Sequence, residues 1–235
     1  MRVAVAVAVT AALVAPDLAT AQPQPATTRF AAGTRAADVA ICVQPLGRVD
    51  AAVVAIVGRG IAAAYGFTPR TLAAIPLPAA AYYRPRKRYR ADALLDHLGT
   101  AVVPTAGCAI VLGLTAVDIS VPKGEHADWG ILGLAQLDSQ VAVVSTFRTR
   151  KRVPTRTSRM RTVKVATHEL GHALGLDHDD SVAGCMMNDA GGTVRTVDRE
   201  SGAPCPHERA AIEARNGVDL PDVDALDWPQ ILGGR

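Results

Sequence analysis

A chain of 235 residues suffices for one well-filled domain and is too short for two large ones. Its 49% hydrophobic and 20% charged residues exclude a disordered polymer, and the 4% aromatic content points to a core of small aliphatic side chains. A formal net charge of +3 is too small to argue for nucleic acid as a partner.

The chain opens with Arg2, an apolar run over residues 3–14 broken only by Thr10, and the small-x-small triplet Ala19-Thr20-Ala21. These are the three regions of a secretory signal peptide, and the run is too short to cross a bilayer as a helix. Residues 1–21 are expected to be removed, leaving an exported chain, periplasmic or extracellular, with no membrane span. Residues 22–38 carry two prolines and no periodicity and read as a flexible leader or short pro-segment. Residues 39–46 read as a buried strand ended by Gly47, and Asp50 caps a helix reaching about Tyr65. A weak strand over 72–77 is closed by Pro76 and Pro78, and residues 90–98 form an amphipathic helix with Ala91, Leu94, Leu95 and Leu98 on one side. Residues 109–117 are a strongly apolar strand. Two more follow at 129–137 and 141–146, joined by Asp138-Ser139-Gln140. A helix spans about 158–174, loops run to about Gly202, a short helix covers 207–215, and residues 216–235 are a tail. This order predicts one mixed α/β domain over residues 39–215.

Basic residues cluster at Arg84, Arg86, Lys87, Arg88 and Arg90 and again between Arg148 and Arg161. An anionic partner is one reading, and solvated loops beside helices, the simpler one, is preferred. The four cysteines, Cys42, Cys108, Cys185 and Cys205, all follow the signal segment, and an even count on an exported chain favours disulfides. Four cysteines allow three pairings.

The densest signal is His168-Glu169-Leu-Gly-His172-Ala-Leu-Gly175-Leu-Asp-His178, which matches the metzincin pattern H-E-x-x-H-x-x-G-x-x-H. Histidines four apart project from one helix face and can share one zinc ion. Glu169 lies about 100° round the helix from His168, beside the open metal position rather than on the metal. Gly175 can take positive φ, ending the helix and turning the chain so that His178 becomes the third ligand. Three protein ligands leave one position for water, the mark of catalytic zinc. H-E-x-x-H alone would arise by chance in roughly three of a thousand such chains, and the extended motif in on the order of one in 10⁵.

Downstream, Cys185-Met186-Met187 resembles the archaemetzincins, whose motif continues with Cys, four residues, Cys-x-Met, seventeen residues and Cys-x-x-Cys. Cys185-x-Met187 fits the middle element, and Met187 plus seventeen residues reaches Cys205, so the resemblance makes Met187 the methionine turn beneath the metal, with Met186 its competitor. Leu77-Pro78, Tyr82, Arg86, Tyr89 and Leu94-Leu95 are similar to an upstream family segment. Leu112, Thr115, Val117 and Asp118 are similar to a family strand, as are Val143, Ser145 and Arg148. The resemblance covers roughly residues 39–210. It implies a single metzincin-like α/β domain, with a mixed, mostly parallel sheet, an active-site helix beneath the cleft and a loop-rich C-terminal subdomain.

The departures from the family are specific. Asp179 and Glu208 stand where the family has the first and fourth of four cysteines thought to hold a second, structural zinc. A four-thiolate site is thereby excluded. The resemblance then leaves either a Cys185–Cys205 disulfide or a mixed site of Cys185, Cys205, His207 and Asp179, with the disulfide preferred. Cys42 and Cys108 remain as the second pair. The function implied is hydrolysis of peptide bonds in peptide or protein substrates, by one catalytic zinc and a water it activates, with Glu169 as general base. The alternatives are a zinc-containing peptide-binding protein with little or no proteolysis and a basic surface module for anionic polymers.

Overall fold

The computed structural model describes residues 29–233; the expected signal segment and the leader up to residue 28 lie outside the described residues. In chain order the elements are β1 (Thr34–Arg35), β2 (Ala40–Leu46), α1 (Ala51–Tyr65), β3 (Thr68–Thr71), β4 (Tyr82–Tyr83), β5 (Arg88–Arg90) and α2 (Ala91–His97). Then come α3 (Val103–Ala106), β6 (Ile110–Thr115), β7 (Ile119–Lys123), β8 (His126–Ile131), β9 (Gly133–Ala135), β10 (Val141–Ser145) and α4 (Thr146–Thr149). The last are α5 (Thr155–Ala173), α6 (Val194–Arg199), α7 (Pro206–Asn216), β11 (Val218–Asp219) and α8 (Trp228–Leu232).

The main sheet has the order β3-β2-β6-β10-β9, parallel throughout except for β9, which runs antiparallel to β10. Both faces are covered, which is why β2 and β6 read as near-continuous apolar runs rather than alternating ones. Ile41 and Val43 of β2 with Ile110, Leu112 and Leu114 of β6 face the core shared with α1 and α5. Cys42 and Val111 face the opposite core, built on Leu94, Leu95 and Leu98. Leu98 leans so far over the sheet that a Cβ on Gly113 would lie 2.7 Å from its Cδ1. This single α/β domain, with a mixed and mostly parallel main sheet, is the expected class.

Several boundaries follow from identifiable chemistry. Asp50 caps α1 by accepting from Ala52 N at 2.8 Å, and Gly66 closes it at φ 71°. The weak strand at 72–77 is absent: β3 pairs with β2 earlier, and beyond it only an isolated bridge joins Leu46 to Ile75 before the two prolines. The stretch 129–137 is two strands in two sheets. It breaks at buried Leu132, so that β8 pairs with β7 while β9 joins β10. Helix α5 starts three residues earlier than expected, and α6 interrupts the supposed loop.

The ends of the described chain are packed rather than loose. Arg29 donates to the carbonyls of Ser139 and Ala173 and pairs with Asp138, and β1 pairs with β11. Val218, Leu226 and Ile231 in the expected tail are buried. Part of the basic cluster is paired within the chain: Arg88 bridges Asp118 and Asp128, Arg86 also pairs with Asp128, and Arg148 pairs with Asp118, while Arg84, Arg86 and Lys87 stay exposed to solvent. No described helix is long and apolar enough to cross a membrane.

Candidate metal centre and cleft

Helix α5 carries His168, Glu169 and His172 through the middle of the molecule, and its last turn delivers the chain to His178. The turn depends on Gly175, whose φ of 94° favours glycine. The three histidines converge: ring centroids are 4.7 Å apart for His168 and His172, 4.7 Å for His172 and His178, and 5.3 Å for His168 and His178.

The Nδ1 atom of His168 lies 2.7 Å from the Met186 carbonyl oxygen, and that of His172 lies 2.7 Å from the Leu176 carbonyl oxygen. A carbonyl only accepts, so each Nδ1 carries the proton and each Nε2 presents a lone pair. The Nε2 atoms of His172 and His178 are 3.3 Å apart. That matches the separation of about 3.3 Å expected between two nitrogens bound tetrahedrally at about 2.05 Å from one zinc. One ligand atom from each histidine lies within 4.8 Å of the others. Burial lowers the His168 pKa to about 4 and also lowers that of His172, keeping these rings neutral near pH 7. The donor set therefore fits a zinc ion.

These histidines line a cleft of about 290 Å³ that also contains Glu169, Glu200 and Trp129. Burial, with a contribution from Glu200, raises the Glu169 carboxyl to about 8. Its position depends on β9: a Cβ on Gly133 would lie 2.5 Å from Oε1 of Glu169 and 2.8 Å from Cδ. β9 is last in the order of the main sheet and flanks the cleft.

Beneath the centre, Met186 and Met187 are both fully buried. The Met187 sulfur packs where a Cβ of Gly171 would otherwise be, between the two helical histidines. Met186 contributes its carbonyl to His168, and its sulfur lies 3.3 Å from the Tyr65 hydroxyl.

Cys185 and Cys205 form a disulfide with Cα atoms 5.5 Å apart, and Cys42 pairs with Cys108 at 5.8 Å, joining β2 to a position two residues before β6. The mixed second-metal site does not fit this arrangement. Donor atoms of Cys185, His207 and Glu208 do cluster, but both sulfurs are tied up in the bridge. Glu208 accepts from Met187 N at 2.8 Å with one oxygen and from Cys205 N at 2.7 Å with the other. Asp179 instead pairs with His207 at 3.2 Å. The two replaced cysteine positions thus carry carboxylates that tether the same loops.

Four contributors to the site are not announced by the sequence pattern. The carbonyls of Met186 and Leu176 leave no trace in a pattern of side-chain types. Gly133 is one small residue inside an apolar strand pattern, with nothing in the pattern to mark it. Glu200 sat in a stretch read as loop. It is 3% exposed, and burial raises its carboxyl to about 8, with Lys164 opposing and Glu208 reinforcing the shift.

Residues 64–213 match peptidase family M54. The chain belongs to this family. An archaemetzincin of Halobacterium salinarum is 32% identical over 171 residues, which cover 69% of this chain and 93% of the relative. The crystal structure of the archaemetzincin of Methanopyrus kandleri superposes with a TM-score of 0.66 at 28% identity, covering 77% of this chain and 97% of that one. That of Archaeoglobus fulgidus, solved in complex with malonate, gives 0.62 at 28% identity, covering 74% and 99%. Membership makes this chain a zinc metallopeptidase.

Proposed function

We propose that the protein is an exported peptidase in which His168, His172 and His178 hold the catalytic zinc and Glu169 is the general base. The observation that carries this reading is a buried carboxyl set beside three converging Nε2 atoms in one cleft. Bound zinc supplies Lewis acidity, lowering the pKa of water and polarising the scissile carbonyl. Glu169 takes the proton from the attacking water and later gives it to the leaving amine. Its raised pKa in the metal-free protein suits a group that must hold a proton between those steps, and a nearby dication favours the ionised form needed at the start. β9 offers a sheet edge along which an extended substrate can align. Met187, packed against Gly171, is the turn methionine that supports the two helical ligands. Two disulfides support the placing of the chain in an oxidising compartment.

Glu169→Gln tests the mechanism. It should bind zinc stoichiometrically and cleave peptides at least about 10³-fold more slowly. Full activity in that variant would sink the assignment. A protein that only binds peptides would have no use for a base in this position, and would cleave none with either residue at position 169.

A further inference from the structure

Glu200 caps the end of α6 and is 3% exposed, yet among the described residues it forms no ion pair and its Oε1 has no hydrogen-bond partner. A buried carboxylate in that condition is costly unless something answers its charge. Its neighbours do not. Lys164 bears on it electrostatically, but the Lys164 ammonium donates to the carbonyls of Val197 and Asp198 at 3.1 and 3.3 Å. Glu208 adds like charge and is itself occupied by two backbone amides. Glu169, also buried, is a further like charge nearby. Glu200 is not isolated from the chemistry: it lines the same cleft as His168, Glu169 and His172, together with the apolar side chains of Val165 and Val197.

We propose that Glu200 determines specificity by receiving the cationic side chain of a lysine or arginine adjacent to the scissile bond. The recognition has two parts. Apolar walls suit the methylene stem of such a side chain, and the unanswered carboxylate suits its charged tip. Arrival of a cation favours the ionised form of Glu200 and satisfies the orphaned Oε1. An acidic side chain in the same pocket would bring no positive charge to draw Glu200 into its ionised form and would not be selected. The proposal relies on the peptidase reading above only to place the pocket next to the bond that is cut. The competing role for Glu200 is structural, as a distant counter-charge for Lys164, and it predicts an effect on stability with no effect on preference.

The experiment has a turnover arm and a binding arm. In the first, the zinc-loaded protein and its Glu200→Gln variant are assayed on peptides identical except for Arg, Lys, Leu or Glu at each position flanking the scissile bond. The wild type should favour Arg and Lys over Leu by about tenfold or more in kcat/KM at one of those positions. Glu200→Gln should bring that ratio close to one while still cleaving the Leu peptide. In the second arm, calorimetry measures the same Arg and Leu peptides binding to Glu169→Gln, with and without Glu200→Gln. The same ratio and the same collapse are expected. Equal or better handling of Leu by the wild type overturns the proposal, without any variant needing to fold. A basic preference that survives Glu200→Gln also overturns it. If Arg peptides bind preferentially through Glu200 but no peptide is ever cleaved, the peptidase reading fails and the cation pocket stands.

Discussion

At the scale of single residues, the centre depends as much on side chains that are missing as on those present. Gly133 leaves the space that the Glu169 carboxyl occupies. Gly133→Ala should displace that carboxyl and lower kcat by about 10²-fold, with zinc content by metal analysis unchanged. Unchanged turnover would show that Glu169 works from a different position. Glu200 also makes a pH prediction. Its carboxyl stays protonated in the folded, metal-free chain up to about pH 8, whereas an unperturbed glutamate ionises near 4.5. The folded state therefore holds the extra proton between these values. The corresponding stability is fully present below the lower one and is lost as pH rises through the upper, at up to about 1.4 kcal/mol per pH unit. Denaturant melts of the metal-free protein across that window should decline less steeply in Glu200→Gln. Parallel slopes would contradict the burial of Glu200.

At the scale of elements, α5 and the turn that follows it were the most legible part. His168, Glu169 and His172 share a helix because their spacing requires it, and Gly175 turns the chain as its position in the motif indicated. The loops beneath were less legible, because they are tied by backbone carbonyls and by carboxylates such as Glu208, which accepts two amides that no spacing rule announces. The 129–137 stretch misled for a related reason: its alternation is real, but the partner changes at Leu132, and pairing is a property of the sheet rather than of the segment. The Cys185–Cys205 bridge spans 20 residues and fixes the loop that carries Met186 and Met187. Replacing both cysteines with serine should cost about 3 kcal/mol in urea unfolding and weaken zinc retention, since the Met186 carbonyl orients His168. Unaltered stability and zinc affinity would show that the bridge is dispensable.

At the scale of the whole molecule, the fold class was readable because the two-faced burial of β2 and β6 wrote continuous apolar runs into the sequence. The packed ends were not readable, since their anchors are scattered single contacts. Arg29 reaches the end of α5 and the loop before β10, Arg59 donates to the Ile231 carbonyl, and Val218, Leu226 and Ile231 each contribute one buried side chain. Truncation after Gly217 removes those three side chains and exposes the surfaces they cover. A loss of several kcal/mol is expected, lowering the melting temperature by about 10 °C or more in calorimetry. A truncated chain that melted like the full one would mean the C-terminal segment is not part of the core.

The sulfur bridge that stands where a second metal could have been has a consequence for how this enzyme meets its supply of zinc. Because the Cys185–Cys205 bridge closes this part of the scaffold covalently, a chelator is expected to strip the active centre and leave the framework standing. Readdition of zinc should then restore turnover without a refolding step, which circular dichroism and peptide cleavage before and after chelation would check.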